Sequence, residues 1–347
     1  MKNFILKVNQ HYQSKLPFVI YRKPNQDEIF GVFQKNDDLF LVNDFLESGI
    51  VFCSFDGNQK IIIPNNQSEI LVFENSFEVL DLNAKNFENQ KSKLAFENLV
   101  ANGVLAIKKK QFLKVVLSRK EVLDLSNFDL INVFSKLVTR YKSAFRYCFY
   151  HPKIGLWFGA TPEQLLQVHD NEFSTVSLAG TQKYENSTDV VWQEKEIEEQ
   201  KIVTDFIAEN LKKASNEIKI SEPFTVQAGN LVHIKSIISG KLNTDFNLQK
   251  CIDLLHPTPA ICGMPRKDSL QFILENENYN RGFYSGFIGE LNIGHQTDLF
   301  VNLRCMNIKN DSANIYVGCG ITKDSIPEKE FQETVNKSMT MKMILDY

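Results

Sequence analysis

Apolar and polar positions alternate along much of the first 90 residues. Short runs rich in β-branched and aromatic residues, such as FVIYRK, EIFGVFQ and IVFCSF, are separated by Asn, Asp, Gly and Pro. A period of two with turn residues between the runs is typical of β-strands. We therefore predict a β-rich segment over 1–90, and we recognise no catalytic pattern in it.

Beyond this segment, runs with helical spacing alternate with strand-like runs. The apolar spacing predicts helices over 86–110, 127–144, 190–214 and 326–346, and two shorter helices within 246–276. The runs RYCFYH, GLWFGATPEQLLQV and LFVNLRCMNI predict strands. Because no linker, repeat or sharp change of composition divides the chain, the pattern favours one α+β domain over 1–347 with extensive antiparallel sheet.

One predicted strand, FLKVVLSRK, has apolar side chains on both faces and a lysine, Lys114, near its middle. Two apolar faces are typical of a covered strand, and an ammonium is costly to bury without a partner. Lys114 therefore either reaches solvent from an edge strand or faces a cleft that favours loss of its proton. The pattern alone leaves both interpretations open.

The predicted helix 190–214 contains a glutamate on its apolar side. Its apolar stripe consists of Ile202, Val203, Phe206, Ile207 and Leu211. At about 100° per residue, Glu199 falls inside this stripe. A carboxylate in that position requires a partner, which is either a basic residue at the helix rim or a ligand.

The last predicted helix has the same feature. Glu330, Glu333 and Lys337 are spaced three and four residues apart and share one face, and Ser325 with Glu328 has the spacing of a capping box. A surface ion pair between Glu333 and Lys337 explains the pattern in isolation. Together with a glutamate from another helix, however, the pair of glutamates suits a hard cation such as Mg²⁺.

Three further features are compatible with an anionic ligand. Gly318 and Gly320 end a strand and permit close approach of backbone N–H groups to an anion. Arg304, within the apolar run LFVNLRC, suits bidentate recognition of a carboxylate. Glu163 follows a proline and precedes an apolar run, where it can also be an ordinary helix-start residue. Each feature is weak alone, and together they describe one acidic and basic site after residue 110.

Composition and charge exclude several classes of function. The chain has 347 residues, 43% hydrophobic and 23% charged, with a net charge of −3, so nothing favours nucleic-acid binding. No apolar run reaches the roughly 18 residues of a membrane span, and the first residues do not have the pattern of a signal peptide. Six cysteines without a C-x-x-C pair fit buried free thiols. We expect a cytoplasmic protein.

Ten segments occur in the order found in the chorismate-utilising enzymes, and the chain resembles this family over roughly 105–347. The family includes isochorismate synthase, salicylate synthase and the first components of anthranilate and aminodeoxychorismate synthases. The segments are KVVLSR, FGATPEQLL, SLAGT, EKEIEEQKIV, LVHIKSIISGKL, LHPTPAICGMPR, RGFYSGFIGEL, LRCMNI, GCGI and EKEFQETVNKSMTM. The resemblance leaves 1–90 as a variable part. It implies two layers of antiparallel sheet flanked by helices, with Mg²⁺ and chorismate in a deep cleft.

The resemblance also implies roles for single residues. Lys114 is the expected general base, which deprotonates a water attacking C2 of chorismate, and Glu163 is the expected acid, which protonates the departing C4 hydroxyl. The expected Mg²⁺ ligands, direct or through water, are Glu199, Glu330 and Glu333. The expected substrate-binding residues are Ala179, Gly180, Thr181, His256, Tyr284, Arg304, Gly318, Cys319, Gly320 and Lys337. Among these, Tyr284 and Arg304 match positions for the enolpyruvyl carboxylate.

The branch of the family follows from two positions. Branches that use ammonia lack the base lysine, because ammonia needs no deprotonation, whereas this chain has Lys114. The aminodeoxychorismate branch has a lysine in the block PIKGT, where this chain has SLAGT with Ala179. Water is therefore the expected nucleophile and isochorismate the expected product. Salicylate synthase, anthranilate synthase component I and a non-catalytic chorismate-binding protein are the alternatives.

The chain departs from the family pattern in small ways. A Glu-His pair of the family is Glu199-Gln200 here, GFIGEL lacks a tryptophan after its last glycine, and Cys319 replaces an alanine. None of these changes removes a chemical role. The resemblance implies a monomer that needs no amidotransferase subunit, and it leaves open whether the product enters menaquinone or siderophore biosynthesis.

Overall fold

Two antiparallel sheets occupy the centre of the molecule. The computed structural model describes residues 2–74, 90–125, 127–184, 190–228, 231–244 and 247–345. Its helices in this part of the chain are α1 (Lys2–Gln13), α2 (Gln90–Lys108), α3 (Leu130–Arg140), α4 (Glu194–Leu211), α5 (Leu248–Leu255), α6 (Arg266–Asn276) and α7 (Pro327–Lys342), with a 3₁₀ turn at Asn65–Gln67. Its strands are β1 (Phe18–Arg22), β2 (Glu28–Gln34), β3 (Phe40–Leu41), β4 (Gly49–Cys53), β5 (Lys60–Pro64), β6 (Ser68–Glu74), β7 (Lys114–Asp124), β8 (Phe145–His151), β9 (Gly155–Thr161), β10 (Gln164–His169), β11 (Glu172–Lys183), β12 (Ile218–Ile220), β13 (Phe224–Ala228), β14 (Leu231–Lys241), β15 (Gly263–Met264), β16 (Phe287–Ile293), β17 (Gln296–Val301), β18 (Cys305–Lys309) and β19 (Ser312–Ile321).

Each sheet contains strands from both ends of the described chain. The first sheet has the order β15-β7-β19-β18-β9-β8-β1-β2-β6, and the second has the order β12-β14-β11-β10-β17-β16-β4-β5-β3, with β13 beside β14. The residues before position 75 thus contribute three strands to each sheet. The segment that carries no catalytic pattern is therefore part of the frame that holds the site.

The sheets pack face to face, and helices cover their outer faces. Between them lies an aromatic core, in which Phe52 stacks on Phe283 and Phe145 stacks on Phe300. Helices α4 and α5 pack against the outer face of the second sheet. Helices α2, α6 and α7 pack near β7 and β19 of the first sheet. Apolar residues on both faces of a strand are the consequence of this layering.

The structure confirms the predicted fold class and most of the predicted helices. Helices α3, α4 and α7 lie within the ranges expected from apolar spacing, and α2 begins at Gln90, while 86–89 lie outside the described residues. The predicted β-rich start contributes six strands before residue 75, but its first element is a helix that was not predicted, α1, which buries Phe4 and Val8 one turn apart. The predicted capping box was also wrong. The N-cap of α7 is Ile326, and Ser325 Oγ instead accepts a hydrogen bond from Thr322 N.

Two further expectations can be compared with the described residues. All six cysteines are buried and free of disulfides. In the described part of the chain, no helix is both long enough and apolar enough to cross a bilayer.

Candidate active site

A cleft opens beyond the end of β9 and the start of β18, between the second turn of α4 and the middle of α7. The space inside the cleft and its solvent-open mouth together is about 730 Å³. Twelve of the sequence-predicted site residues line it: Glu163, Ala179, Gly180, Thr181, Glu199, Tyr284, Arg304, Gly318, Cys319, Gly320, Glu333 and Lys337. These residues come from both sheets and from two helices, so the fold brings together groups that are up to 174 positions apart, from Glu163 to Lys337.

A β-bulge shapes the wall that the second sheet contributes. The register between β11 and β14 shifts between Ala179 and Gln182, and Gly180 adopts a φ of +73°. A Cβ atom at Gly180 would lie 3.0 Å from Glu196 Cβ on α4. Glycine therefore both permits the bulge and lets α4 approach the sheet closely.

Lys114 is fully buried and forms an ion pair at the base of the cleft. Its Nζ lies 2.8 Å from Glu199 Oε1. A Cβ atom at Gly320 would lie 2.5 Å from that oxygen and 3.0 Å from Lys114 Cε, so a larger residue at position 320 would displace the pair. Lys114 is not itself part of the cleft lining, but both of its neighbours, Glu199 and Gly320, are. Of the two interpretations of this lysine, the structure excludes the solvent-exposed one.

The two carboxylates nearest Lys114 have opposite pKa shifts. Burial raises the pKa of Glu163 to about 7, although the charges of Lys114, Lys337 and Arg304 act against the shift. Burial also acts to raise the pKa of Glu199, but the direct contact with Lys114 outweighs it and the pKa is lowered. Glu163 can therefore hold a proton near neutral pH, whereas Glu199 is a carboxylate.

The remaining predicted metal ligands also pair with lysines. Lys195 Nζ lies 2.9 Å from Glu330 Oε1, and Lys337 Nζ lies 2.6 Å from Glu333 Oε1. Glu330 is buried, and burial together with the charge of Glu333 raises its pKa above the ordinary value. We call Glu199, Glu330 and Glu333 the acidic cluster.

The acidic cluster has the donor chemistry of a Mg²⁺ site but is not assembled as one. Three carboxylates are the ligands that this hard cation prefers, and the ammonium of Lys195 interacts with all three charges as a stand-in cation. In the described ranges, no group of three or more His, Cys, Asp or Glu side chains is arranged to hold a metal ion. Each carboxylate instead points to its own lysine.

Arg304, just before β18, contributes a half-buried guanidinium to the cleft lining. It has a φ of +47°, which is strained for a residue with a side chain, and its Nη1 donates to Thr340 Oγ1 over 3.3 Å. Burial lowers its pKa, and the nearby charges of Glu333 and Glu163 partly restore it. Tyr284, also in the lining, stacks on Tyr316.

The strand β19 offers an open backbone edge in the cleft. Its partner β18 begins at Cys305, opposite Tyr316, so β18 does not cover the edge of β19 from Val317 onwards. Lys337 Nζ donates to Gly318 O over 3.0 Å at this edge. The predicted seat for an anion is therefore a strand end with a lysine beside it.

Two polar residues of the lining were not predicted from the sequence. His233 Nδ1 lies 3.0 Å from Gly180 O, and burial lowers its pKa to about 3. Its Nε2 is buried with no hydrogen-bond partner. Ser285 has a φ of +61°, and its buried Oγ makes no hydrogen bond of good geometry. Its proximity to Tyr284 only opposes the burial that raises the pKa of that phenol. Both side chains thus offer a free polar atom to a ligand.

The structure does not bring His256 to the cleft lining. Its Nε2 lies 3.0 Å from Phe55 O, and its ring meets Phe287 edge to face. Burial lowers its pKa to about 4. The neighbouring segment reaches the cleft through Ala260 and Ile261 instead.

Gln200 fixes the helix that carries Glu199. Its Nε2 lies within 3.1 Å of the hydroxyls of Ser177, Thr204 and Ser236, which belong to β11, α4 and β14. The residue is buried, so these contacts lock the rotation of α4 about its axis. Gln200 thus provides a polar anchor at the position where the family pattern has histidine.

Comparisons with known proteins match most of the chain. A family model described as "Chorismate binding enzyme" matches residues 55–346. Anthranilate synthase component 1 of Lactococcus lactis is 30% identical over 291 residues, which cover 81% of this chain and 63% of that protein. Isochorismate synthase EntC of Escherichia coli K12 is 30% identical over 260 residues, which cover 71% of this chain and 66% of that protein. The chain thus spans less than two thirds of the length of these relatives.

A solved structure matches over a larger share. The Bacillus anthracis protein DhbC, assigned as a 2,3-dihydroxybenzoate-specific isochorismate synthase, superposes with a TM-score of 0.82 over 99% of this chain and 100% of that chain. The sequence identity is 21%, so this likeness establishes the fold.

Proposed function

Because the chain belongs to the family of chorismate-binding enzymes, we propose that it is an isochorismate synthase, an isomerase that converts chorismate into isochorismate. The reaction adds water at C2 of the ring and removes the hydroxyl at C4, so it needs a base at one carbon and an acid at the other.

One observation carries the proposal, namely a fully buried Lys114 whose charge acts on the buried carboxyl group of Glu163, which has a pKa of about 7. Lys114 is the base that takes a proton from the attacking water, which requires that its ammonium first gives up a proton. Glu163 gives its proton to the C4 hydroxyl, which leaves as water while the ring double bonds shift. One water enters and one leaves, which balances the isomerisation. The two groups exchange their protons with solvent before the next turnover.

Cationic side chains account for binding of the two substrate carboxylates. Arg304 is half-buried, and no carboxylate of the described residues forms an ion pair with it, so a planar carboxylate fits its fork. Lys337 and the open edge of β19 suit the ring carboxylate.

We further propose that Glu199, Glu330 and Glu333 hold Mg²⁺ beside the ring carboxylate. The support is their donor chemistry and the raised pKa of Glu330. When bound, the ion neutralises charge on the substrate carboxylate. EDTA should abolish activity, and added Mg²⁺ should restore it.

The test of the function is product analysis after incubation of the purified chain with chorismate and Mg²⁺. Isochorismate as the product supports the proposal. Salicylate with pyruvate would instead establish salicylate synthase, and no conversion would overturn the catalytic assignment.

Anthranilate synthase component I is a second candidate because of the Lactococcus lactis relative. That activity requires ammonia or a glutamine amidotransferase, whereas the proposed enzyme acts alone. A parallel incubation with ammonium chloride separates the two. Anthranilate formed only with ammonium would contradict the isochorismate proposal.

A further inference from the structure

A lysine side chain of the protein lies beside the acidic cluster, in the position of a cation. Lys195 lies on the first turn of α4, four residues before Glu199, and its Nζ is 2.9 Å from Glu330 Oε1. Its charge also interacts with Glu199 and Glu333.

The two partners of this ion pair differ in their access to water. The side chain of Lys195 is 37% exposed, whereas that of Glu330 is 4% exposed. Because a lysine has a long flexible stem, its ammonium can swing into solvent at little cost. The buried carboxylate has no such freedom, and it would remain without a counter-charge.

We propose that Lys195 is a built-in competitor of the divalent cation. Its ammonium neutralises the acidic cluster when no metal is bound, and it moves to solvent when the metal takes the carboxylate oxygens. This inference rests on the proposed metal site and adds a function for a residue outside it. It explains why the three carboxylates, each of which has a lysine partner, are not assembled around a shared point.

The proposal has two measurable consequences. Removal of the ammonium should tighten Mg²⁺ binding by the substrate-free protein, because the metal no longer displaces a bound charge. It should also destabilise the metal-free protein, because Glu330 loses its counter-charge, and this loss should be recovered when Mg²⁺ is added.

The experiment is isothermal titration of the purified, substrate-free protein with MgCl₂ and, for a stronger signal, MnCl₂. Lys195→Met keeps the length of the stem without the charge and should bind the metal roughly tenfold more tightly, given the size of close charge interactions near a protein surface. Lys195→Arg keeps the charge and should bind with nearly wild-type affinity. Lys201→Met is the matched control on the same helix, because Lys201 pairs with Asp205 in solvent.

Thermal unfolding of the same variants gives an independent readout. Lys195→Met should have a lower Tm than wild type without metal and a larger rise in Tm with Mg²⁺. If Lys195→Met binds metal with equal or lower affinity than wild type, Lys195 is not a competitor, and the metal site stands. If neither protein binds Mg²⁺ or Mn²⁺, both this inference and the proposed metal site are overturned.

Discussion

Glu163 and Lys114 experience the same burial and differ in their partners. The ammonium of Lys114 has a carboxylate at 2.8 Å, whereas the cations around Glu163 act on it only through their fields. Burial without a direct counter-ion favours the neutral carboxylic acid. One cleft thus keeps a proton donor ready near neutral pH beside an ion pair.

Removal of either group should reduce turnover without loss of the fold. We expect Lys114→Ala and Glu163→Gln to lower kcat by about 10²–10⁴ while KM changes little, because each removes one proton transfer. The measurement is chorismate turnover with and without ammonium, with circular dichroism as the check of folding.

The two variants should also differ from each other. Ammonia is already a nucleophile, so Lys114→Gln can gain a trace of ammonia-dependent amination at high pH. Glu163→Gln should lose both reactions, because the C4 hydroxyl must leave in either reaction. A folded Lys114→Ala protein with near wild-type turnover would show that the lysine is not the base.

The pH dependence follows from the protonated state of Glu163. Its pKa is about 7, compared with the ordinary 4.5, and the acid must carry a proton to act. We therefore expect kcat/KM to fall as the pH rises through about 7. The contribution of Glu163 to the free energy of unfolding changes in the same direction as kcat/KM. It is complete below pH 4.5 and is lost as the pH rises to about 7.

Steady-state kinetics across pH 5–9 would measure the first effect, and urea unfolding would measure the second. Glu163→Gln does not titrate, so the difference in unfolding free energy between it and wild type should change between pH 4.5 and 7. A constant difference over that range would contradict the shifted pKa.

Single residues were predictable where a charge interrupts an apolar pattern. Lys114, Glu199 and Arg304 stand out in this way, and the structure buries or half-buries all three. His233 and Ser285 gave no such signal, because histidine and serine are ordinary within strands and turns. Their importance arises from a bulge and a positive φ, which depend on contacts between distant segments.

At the scale of elements, α4 orients Glu199 through its neighbour. Glu199 faces the cleft while Gln200, the next residue, faces the hydroxyls of the second sheet. Adjacent residues on a helix differ by about 100°, so the polar anchor on one side sets the direction of the carboxylate on the other.

We expect Gln200→Ala to lower both stability and activity. Loss of the hydrogen bonds to Ser177, Thr204 and Ser236 should cost about 1–3 kcal/mol of unfolding free energy, and a displaced Glu199 should lower kcat/KM by about tenfold or more. Urea unfolding and steady-state kinetics measure the two effects. Lys201→Ala, at the next and solvent-exposed position, is the control, and equal effects in both variants would contradict the anchoring role.

Element boundaries were less predictable than element types. The apolar period identified α4 and α7, but their caps depend on hydrogen bonds that alternative residues can make. Gln193 and Glu196 form a capping box at α4 that was not expected. Near α7, the Ser325 hydroxyl accepts a hydrogen bond from Thr322 N in the preceding turn and does not cap the helix. The helix α1 was missed although five of its twelve residues are apolar, namely Phe4, Ile5, Leu6, Val8 and Tyr12.

At the scale of the whole molecule, a polar contact joins the two sheets across their apolar core. Tyr21 on β1 donates to Glu290 Oε1 on β16 over 2.6 Å, and Lys23 binds the other carboxylate oxygen. Tyr21 and Glu290 are both buried, so their contact helps to set how the two sheets pack. Neither residue belongs to the cleft lining.

Tyr21→Phe should therefore separate stability from catalysis. We expect a loss of about 1–3 kcal/mol of unfolding free energy, because Glu290 loses a buried donor, and an unchanged KM for chorismate. Urea unfolding and initial rates are the measurements. Tyr150→Phe, on the neighbouring strand β8 and half-buried, is the control. A raised KM in Tyr21→Phe alone would mean that the contact reaches the site.

Each sheet combines strands from distant parts of the chain, and this limits the order in which the sheets can form during synthesis. Strand β4 pairs with β16, so Gly49–Cys53 leaves the ribosome more than 230 positions before its partner Phe287–Leu291 exists. Strand β1 is likewise synthesised before its partner, β8. During that interval the early strands have unpaired edges that invite association with other chains. The requirement for chaperones should therefore be greatest for nascent chains that end before β16.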